Sequence, residues 1–551
     1  SKQNQINFEI IYPLRGKILD RNNVVIASNK NTYDLFLIPE QTPSVEKTLH
    51  ELNKIININY RVKRKVIELS KKIKKFQSII ILKNINWEDL EIIEANKYQL
   101  PGLHIKLVPQ RLYPYHAYLS HILGYTNKPS EQDLNLPFIN DMLTLDIGKT
   151  GIEKITNEQL IGRPGKREIE VNSIGKEIRE ISRINSEKGK NIKISIDINI
   201  QKYAHEQLSK HKAGSVVVMD IDTGEIVSMV SIPDYNPNLI IKKPNVSYWN
   251  TILNNSLAPL TNRSIQGLYS PGSTFKMIVA LAGLRKGVIS TKDSVICEGK
   301  IEFGDRFYHC WKTKGHGKVR LIKGLKESCD IYFYELSKKI GIDEIAKTAK
   351  EFGLGELSNM GLENEKKGII PSIKWKKQNL KKSWYAGETL IAGIGQGYIL
   401  STPIQLAIMT ARIASSGKVQ ASIIEKNSRE KFNKINFHQD HIALIKEGMF
   451  KVVNEEMGTA YKSKSNSFKF SGKTGTSQVK KIELEERESE DFRKIEKEWK
   501  NKDHALFVGY MPSEKPKYSI SVIIEHGGSG ASVAAPIAKN IFNYINNINY
   551  S

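Results

Sequence analysis

Tyr269-Ser270-Pro271-Gly272-Ser273-Thr274-Phe275-Lys276-Met277 joins a Pro-Gly turn to Ser-x-x-Lys and then to an apolar stretch, residues 277–284, of helical composition. This predicts a loop ending at a helix start. At i and i+3 on such a helix, Ser273 and Lys276 share one face. A serine hydroxyl attacks a carbonyl only once a base takes its proton. A lysine one turn away can be that base if burial or a second cation lowers its pKa. The helix N-terminus would also aim free N–H groups at a developing oxyanion. Alone, the spacing is weak, because it arises often by chance.

Two downstream motifs supply what that pair lacks. Ser328-Cys329-Asp330 offers a hydroxyl able to relay a proton between two lysines and a polar group to orient them. Lys473-Thr474-Gly475-Thr476-Ser477 precedes strand-like sequence and offers the second cation, which would tune Lys276 and pair with a substrate carboxylate. On an edge strand, Gly475 would let a substrate backbone approach as an added strand. The backbone N–H groups of Ser273 and Thr476 would then form an oxyanion hole. The three motifs in this order are far more specific than any one of them. The chemistry they describe is acyl transfer through a serine ester.

The surrounding texture indicates what must hold these motifs. From about residue 191 the pattern is α/β. Residues 192–196 alternate like a strand and 199–208 read as a helix. The β-branched runs 214–219 and 226–230, joined through Asp222-Thr223-Gly224, read as adjacent antiparallel strands. Residues 505–510 and 518–525 read as two more strands, and 534–544 as a closing helix. Near the start, Arg15-Gly16-Lys17-Ile18-Leu19-Asp20-Arg21-Asn22-Asn23 and residues 24–27 read as a hairpin without chemistry of its own. Residues 45–100 carry charged, Ile/Leu-periodic segments such as 62–73, expected to be amphipathic helices of a small inserted subdomain. Strand-and-turn texture returns over 101–190. There Gly148-Lys149-Thr150 invites a phosphate loop, but the upstream glycine that motif requires is Leu143. Residues 480–500 are dense in Glu, Lys and Arg and read as a solvated insertion. The expected domains are 1–190, with the helical insert at about 45–100, and 191–551.

Lysine and arginine outnumber aspartate and glutamate 83 to 59, a formal charge of +24, yet the basic residues are scattered. With no basic block interleaved with aromatics, nucleic acid is not the expected partner. The charge reads as a solvated surface with a secondary attraction to anionic lipid or an acidic polymer. No apolar run is long enough to span a membrane, and no signal peptide is recognisable.

Cys297, Cys310 and Cys329 are all the cysteines, and with His316 they fall at intervals of 13, 6 and 13 residues. Three thiols and an imidazole are the ligand set of a closed structural zinc site, although the spacing is not that of a zinc finger. Three buried thiols beside a surface histidine, or a disulfide between two of them, compete with that reading. His309 is an alternative fourth ligand.

On these motifs the chain resembles the class B penicillin-binding proteins, and within them the elongation type. Arg15–Asn22, Gly148–Glu153 and Glu170-Val171-Asn172 carry the likeness through the N-terminal part. Ala392-Gly393-Ile394-Gly395-Gln396-Gly397 and Phe507-Val508-Gly509-Tyr510 carry it through the rest, so that it covers nearly the whole chain. The resemblance implies an α+β multidomain fold: a penicillin-binding transpeptidase domain, with an antiparallel sheet sandwiched by helices, on an elongated pedestal, or dimerisation-like, domain. It implies peptidoglycan D,D-transpeptidation without a cofactor. Ser273 would attack the carbonyl of the penultimate D-alanine of a stem peptide, the terminal D-alanine would leave, and an amine of a neighbouring strand would take the acyl group. β-Lactams would acylate the same serine. A polytopic glycosyltransferase of the elongation machinery and its regulators would dock on the pedestal. The enzyme would work at the periplasmic face of the inner membrane, held by a single N-terminal anchor.

Some elongation-type relatives hold zinc near the second motif through a similarly spaced set that includes carboxylates. Here cysteines stand where those relatives have aspartates, and a zinc ion would clamp the loop bearing Ser328 and Asp330 through Cys329. Asp330 itself departs from the asparagine of many relatives; a carboxylate can hold two lysines by charge.

Two other readings compete. A D,D-carboxypeptidase or β-lactamase-like serine hydrolase would use the same residues. The long N-terminal region speaks against it, and Glu388 is a poor candidate for a deacylating base. A binding scaffold with a vestigial site is the non-enzymatic reading, opposed by intact Ser273, Lys276, Ser328 and Lys473.

Overall fold

The computed structural model describes residues 5–73, 75, 77–130, 133, 146–171, 177–241, 246–425, 431–479 and 498–550. Most of the segment expected as a charged insertion, and Asn172, lie outside the described residues. The chain forms two units. One comprises 1–19, 23–193 and 236–251; the other comprises 20–22, 194–235 and 252–551. Among the described residues no helix is long and apolar enough to cross a membrane.

The second unit is built on a five-stranded antiparallel sheet. Its order is Ile226–Ile232, Gly214–Asp220, Tyr518–Ile524, His504–Met511, Ser471–Ser477. The middle strands are buried along their whole length, so both faces of the sheet are covered. Val216, Val218, Ile520 and Val522 pack with Ile200, Ala204 and Leu208 of helix Ile198–Leu208 and with Ile541, Phe542 and Ile545 of the closing helix Ala535–Tyr550. On the other face lies helix Pro403–Ser415, whose Ala407 carbonyl accepts a hydrogen bond from Ser519 Oγ at 3.1 Å. The sheet sandwiched by helices is thus present.

Local chemistry sets two boundaries that the sequence places differently. Asp197 caps the first helix, its carboxylate accepting from the N–H groups of Asn199 and Ile200, so the helix starts at Ile198. The strand expected over 192–196 pairs only at Ile192–Lys193, followed by a single bridge from Ile194 to Ile424. The strand Ser471–Ser477 is the last of the sheet, so one of its edges is unpaired among the described strands.

In the first unit, Val25–Leu37 pairs with Leu103–Leu112 over ten residue pairs, Ser28–Leu112 to Leu37–Leu103. The helices Val45–Ile55, Tyr60–Lys72 and Trp87–Ala95 lie between these two strands in sequence and pack Leu49, Leu52, Val66 and Ile93 onto Leu35 and Leu37. A separate three-stranded sheet joins Gln5–Ile11, Gly165–Val171 and Glu177–Ile184. The buried node of this unit is Glu153, fully enclosed, which takes Arg15 Nε and Arg111 Nε at 2.6 Å each and the Tyr113 hydroxyl at 3.2 Å. Gly148, of the rejected phosphate-loop motif, instead donates its N–H to Asn157 Oδ1 at 2.9 Å.

Candidate active site

Ser273 does not open the α-helix. Gly272–Phe275 forms one 3₁₀ turn, and the α-helix runs from Lys276 to Lys286. In a 3₁₀ turn residues i and i+3 eclipse, so Ser273 and Lys276 share a face even more closely than on an α-helix. The apolar run behind them, residues 277–284, is buried throughout, which fixes the turn against the core. Gly272, at φ +53°, lies so close to the edge strand that a Cβ there would meet the Thr476 carbonyl oxygen at 2.6 Å. Its N–H donates to the Gly395 carbonyl at 2.9 Å, which gives the Ala392–Gly397 segment a place beside the Ser273 turn.

The side chains of the three motifs converge. Lys276, with no exposed surface, donates from Nζ to Asp330 Oδ1 at 2.7 Å, to the Ser328 carbonyl at 2.9 Å and to Ser328 Oγ at 3.2 Å. Lys473, equally buried on the edge strand, places Nζ 2.9 Å from the same Ser328 Oγ and 3.1 Å from the Thr474 carbonyl. One hydroxyl therefore bridges two lysine nitrogens, and the residue that carries it is held at φ +56°. Burial, and then the Lys276 charge, push Lys473 well below the usual lysine range, against the pull of Asp330. Ser273 is partly exposed, and its hydroxyl makes no hydrogen bond to another described residue. Thr474, Gly475 and Ser477 are buried in the strand, whereas Thr476 is exposed. The Thr474 hydroxyl is tied to Thr459 Oγ1 at 2.7 Å.

Sequence reasoning missed Trp311. Its backbone N–H donates to Asp330 Oδ2 at 2.9 Å and its indole N–H to the Glu327 and Ser328 carbonyls at 3.1 Å each. It thus steadies the second motif from outside. Its position directly after Cys310 was the available signal.

Cys297, Cys310, His316 and Cys329 come together, each buried, with their ligand atoms within 4.8 Å of one another. His316 Nδ1 lies 3.6 Å from Cys297 Sγ and 3.5 Å from Cys310 Sγ. Zinc bonded to sulfur at about 2.3 Å and to nitrogen at about 2.0 Å in a tetrahedron puts a nitrogen and a sulfur about 3.5 Å apart. The spacing therefore fits. The electrostatics fit as well. The Cys329 hydrogen bond and His316 hold Cys310 down to about 3, the bond to Cys310 and burial push Cys329 up, and burial pushes Cys297 up. Three thiols this close cannot all ionise without a cation among them. His309 is not part of the cluster. Two short antiparallel strand pairs shape it: Ser294–Cys297 with Gly317–Arg320, and between them in sequence the hairpin Lys300–Phe303 with Arg306–His309.

Glu388 is unsuited to activating water. Its Oε1 takes Lys376 Nζ at 2.5 Å and Tyr398 Oη at 3.3 Å, and its Oε2 takes the Tyr385 N–H at 2.9 Å.

Comparison with known proteins agrees with this arrangement. Residues 214–543 match the penicillin-binding protein transpeptidase domain, and residues 10–194 match the penicillin-binding protein dimerisation domain. The peptidoglycan D,D-transpeptidase MrdA of Escherichia coli (strain K12) is 31% identical over 99% of this chain and 88% of its own length. The structure of PBP2 from Helicobacter pylori in complex with MreC superposes with a TM-score of 0.87, at 29% identity, over 100% of both chains. A peptidoglycan synthase complex described as coordinating polymerization and crosslinking contains a chain with a TM-score of 0.76 and 25% identity, covering 98% of this chain and 92% of that one. With serine, two lysines and a bridging hydroxyl gathered beside an open sheet edge, and with both domain matches in sequence order, the chain belongs to the class B penicillin-binding proteins.

Proposed function

We propose that the chain is a peptidoglycan D,D-transpeptidase of the elongation type, working through a Ser273 acyl-enzyme. The observation that carries this is the single Ser328 hydroxyl placed 3.2 Å from Lys276 Nζ and 2.9 Å from Lys473 Nζ, beside the Ser273 turn. As it stands, Lys276 has all three of its donors committed, to Asp330, the Ser328 carbonyl and Ser328 Oγ. To take the Ser273 proton it must first release one. Lys473, whose depressed pKa favours the neutral amine, can accept the Ser328 hydroxyl proton while Ser328 Oγ takes one from Lys276. Lys276 then serves as base for Ser273, and the reverse transfer delivers a proton to the departing D-alanine amine. Asp330 holds the Lys276 nitrogen in place through this exchange.

The substrate's extended stem peptide would add to the open edge of Ser471–Ser477, with exposed Thr476 and the backbone at Gly475 as its contacts. The backbone N–H groups of Ser273 and Thr476 would face the oxyanion, a role supported by the close approach of Thr476 to Gly272. A zinc ion held by Cys297, Cys310 and Cys329 Sγ and His316 Nδ1 would supply a structural cross-link. The acyl transfer runs through protein groups alone.

A division into a pedestal over 1–190 and a transpeptidase domain over 191–551 is supported by the two matched segments. By likeness to the MreC complex and the synthase complex, partners are a scaffold of that kind and a membrane glycosyltransferase, docking on the pedestal. A peptidoglycan substrate supports work at the periplasmic face of the inner membrane, where an N-terminal anchor would hold the enzyme.

A fluorescent penicillin should label the protein through denaturation, and Ser273→Ala should abolish the label. No label on the parent protein would refute the reading. Rapid penicillin turnover would replace it with a hydrolase. Metal analysis of protein purified under reductant should give one zinc per chain, and its absence would refute the metal assignment.

A further inference from the structure

We infer that Lys376, remote in sequence from all three motifs, is a positioning residue for the Ser273 turn; the inference rests on the acyl-enzyme reading above. Lys376 lies on the helix Ile373–Leu380 and is 1% exposed. A lone ammonium at such depth is costly, so its surroundings must compensate. They do so with one carboxylate, Glu388 at 2.5 Å, and three aromatic rings. The Nζ lies 4.6 Å from the Tyr385 ring centre, 5.7 Å from Tyr398 and 5.8 Å from Trp384.

Glu388 is the third residue of the helix Ala386–Gly393, and its second oxygen closes a capping box on the Tyr385 N–H at 2.9 Å. Lys376 therefore pins the first turn of that helix. The other end closes in a Schellman pattern: Gly395 N–H donates to Ala392 O at 2.9 Å and Gln396 N–H to Ile391 O at 3.2 Å, with Gly395 at φ +72°. The Gly395 carbonyl then receives the Gly272 N–H at 2.9 Å, immediately before Ser273. A Cβ on Gly395 would strike the Gly272 carbonyl oxygen and lie 2.7 Å from Phe275 Cβ. At its last residue, Gly393, the helix sits so close to the helix Asp330–Ile340 that a Cβ would meet Ser337 Cβ at 2.6 Å. One two-turn helix, about 12 Å long at 1.5 Å per residue, thus has its start fixed by Lys376, its flank on the helix that begins with Asp330, and its end on the nucleophile turn.

A merely structural need would be met better by an apolar side chain, since a buried ion pair rarely outperforms well-packed hydrophobic residues. What the charge adds is direction: it holds Glu388 in one orientation, and the helix axis follows. A shift of the turn by a fraction of an ångström moves Ser273 relative to Lys276 and the oxyanion donors, and misplacement of about 1 Å can cost about a hundredfold in rate.

The test uses Lys376→Met, which fills the aromatic cage without charge, and Glu388→Gln, which keeps the size and one acceptor for the Tyr385 N–H. Both are compared with the parent protein by stopped-flow acylation with a fluorescent penicillin, separating precovalent affinity from the acylation step, alongside thermal melting. The expected result is, in the folded fraction, an acylation step slowed about ten- to a hundredfold with precovalent affinity nearly unchanged, while the melting midpoint falls because each variant leaves one partner of the buried pair uncompensated. Parent-like acylation in a folded variant would overturn the inference. So would a loss of labelling in either variant that merely tracks its unfolded fraction. Because the parent must label at Ser273 for the comparison to exist, failure of the acyl-enzyme reading is distinguishable from failure of this one.

Discussion

Asp330→Asn tests the charge balance of the site most directly. Two fully buried lysines meet at the Ser328 hydroxyl, and Asp330 is the carboxylate bonded there. Its Oδ1 accepts Lys276 Nζ at 2.7 Å and its Oδ2 accepts the Trp311 N–H at 2.9 Å. Asparagine keeps the shape but has one acceptor oxygen, so in either orientation its NH₂ faces a donor. The loss is one hydrogen bond to a charged group, about 1.5–3 kcal/mol. Expressed in the acylation barrier, that is roughly a 10- to 160-fold slower reaction. A second effect has a defined sign. The Asp330 charge raises Lys473 against burial and the Lys276 charge, so its removal lets Lys473 fall further. Lys473 is needed as the neutral amine, so the acid limb of the rate profile should move to lower pH while the plateau drops. Second-order acylation rates with a chromogenic β-lactam, measured from the acidic to the neutral range, read both effects. A parent-like plateau, or an acid limb displaced to higher pH, would refute the relay through Ser328.

Glu153→Gln should destabilise the first unit by about 3–5 kcal/mol, because it leaves Arg15 and Arg111 buried without their carboxylate. For a unit of this size that lowers the calorimetric midpoint by roughly 6–20 °C. Burial alone would raise the Glu153 pKa, but the Arg111 and Arg15 charges outweigh it and hold the carboxyl below its ordinary value. Its stabilising contribution is therefore complete above the unfolded carboxyl's pKa and lost as pH falls through the folded value, an acid-side loss the Gln variant should lack. Gly395→Ala should cost about 1–3 kcal/mol through its left-handed backbone and slow acylation at least as strongly as Lys376→Met; unchanged labelling would disprove the clamp on Gly272. Zinc chelation should lower the melting midpoint of the second unit and slow acylation, with a chelator titration followed by fluorescent labelling as the check.

The three motifs stood out in the sequence because each carries its own chemistry, and the central strands because β-branched runs such as the valines of 214–219 fit a pleated, buried surface. What escaped depends on contacts that sequence does not carry. The Pro271-Gly272 turn hides a 3₁₀ start, so the α-helix begins at Lys276 rather than at Ser273. The strands around the cysteines are four residues each and largely exposed, and apart from Lys300–Phe303, where polar and apolar residues alternate, they lack the pattern that marks a half-buried strand. Arg15–Asn22 read as a plain hairpin, yet Arg15 bonds to Glu153 while Asp20 Oδ2 accepts the Ile198 N–H at 3.1 Å and Asn22 donates to Asp197 at 2.8 Å. Nothing in the sequence sets Lys376 apart in a lysine-rich chain; only the three rings and Glu388 around it reveal a buried ammonium.

The cysteine cluster and the Asp330 carboxylate are one mechanical unit. Cys310 is followed by Trp311 and Cys329 by Asp330, and these two followers bond to each other, Trp311 N–H to Asp330 Oδ2 at 2.9 Å. A cross-link between the two sulfurs therefore fixes the donor and the acceptor of the bond that aims Oδ1 at Lys276. Chelation and Asp330→Asn then act on acylation through the same contact, and effects routed through one contact do not add. Removing zinc from the Asn variant should slow acylation by clearly less than removing it from the parent protein, although both should lose thermal stability. Equal fold-losses in the two proteins would mean that the cluster supports the fold without reaching Lys276, and that the coincidence of the two cysteine followers has no mechanistic content.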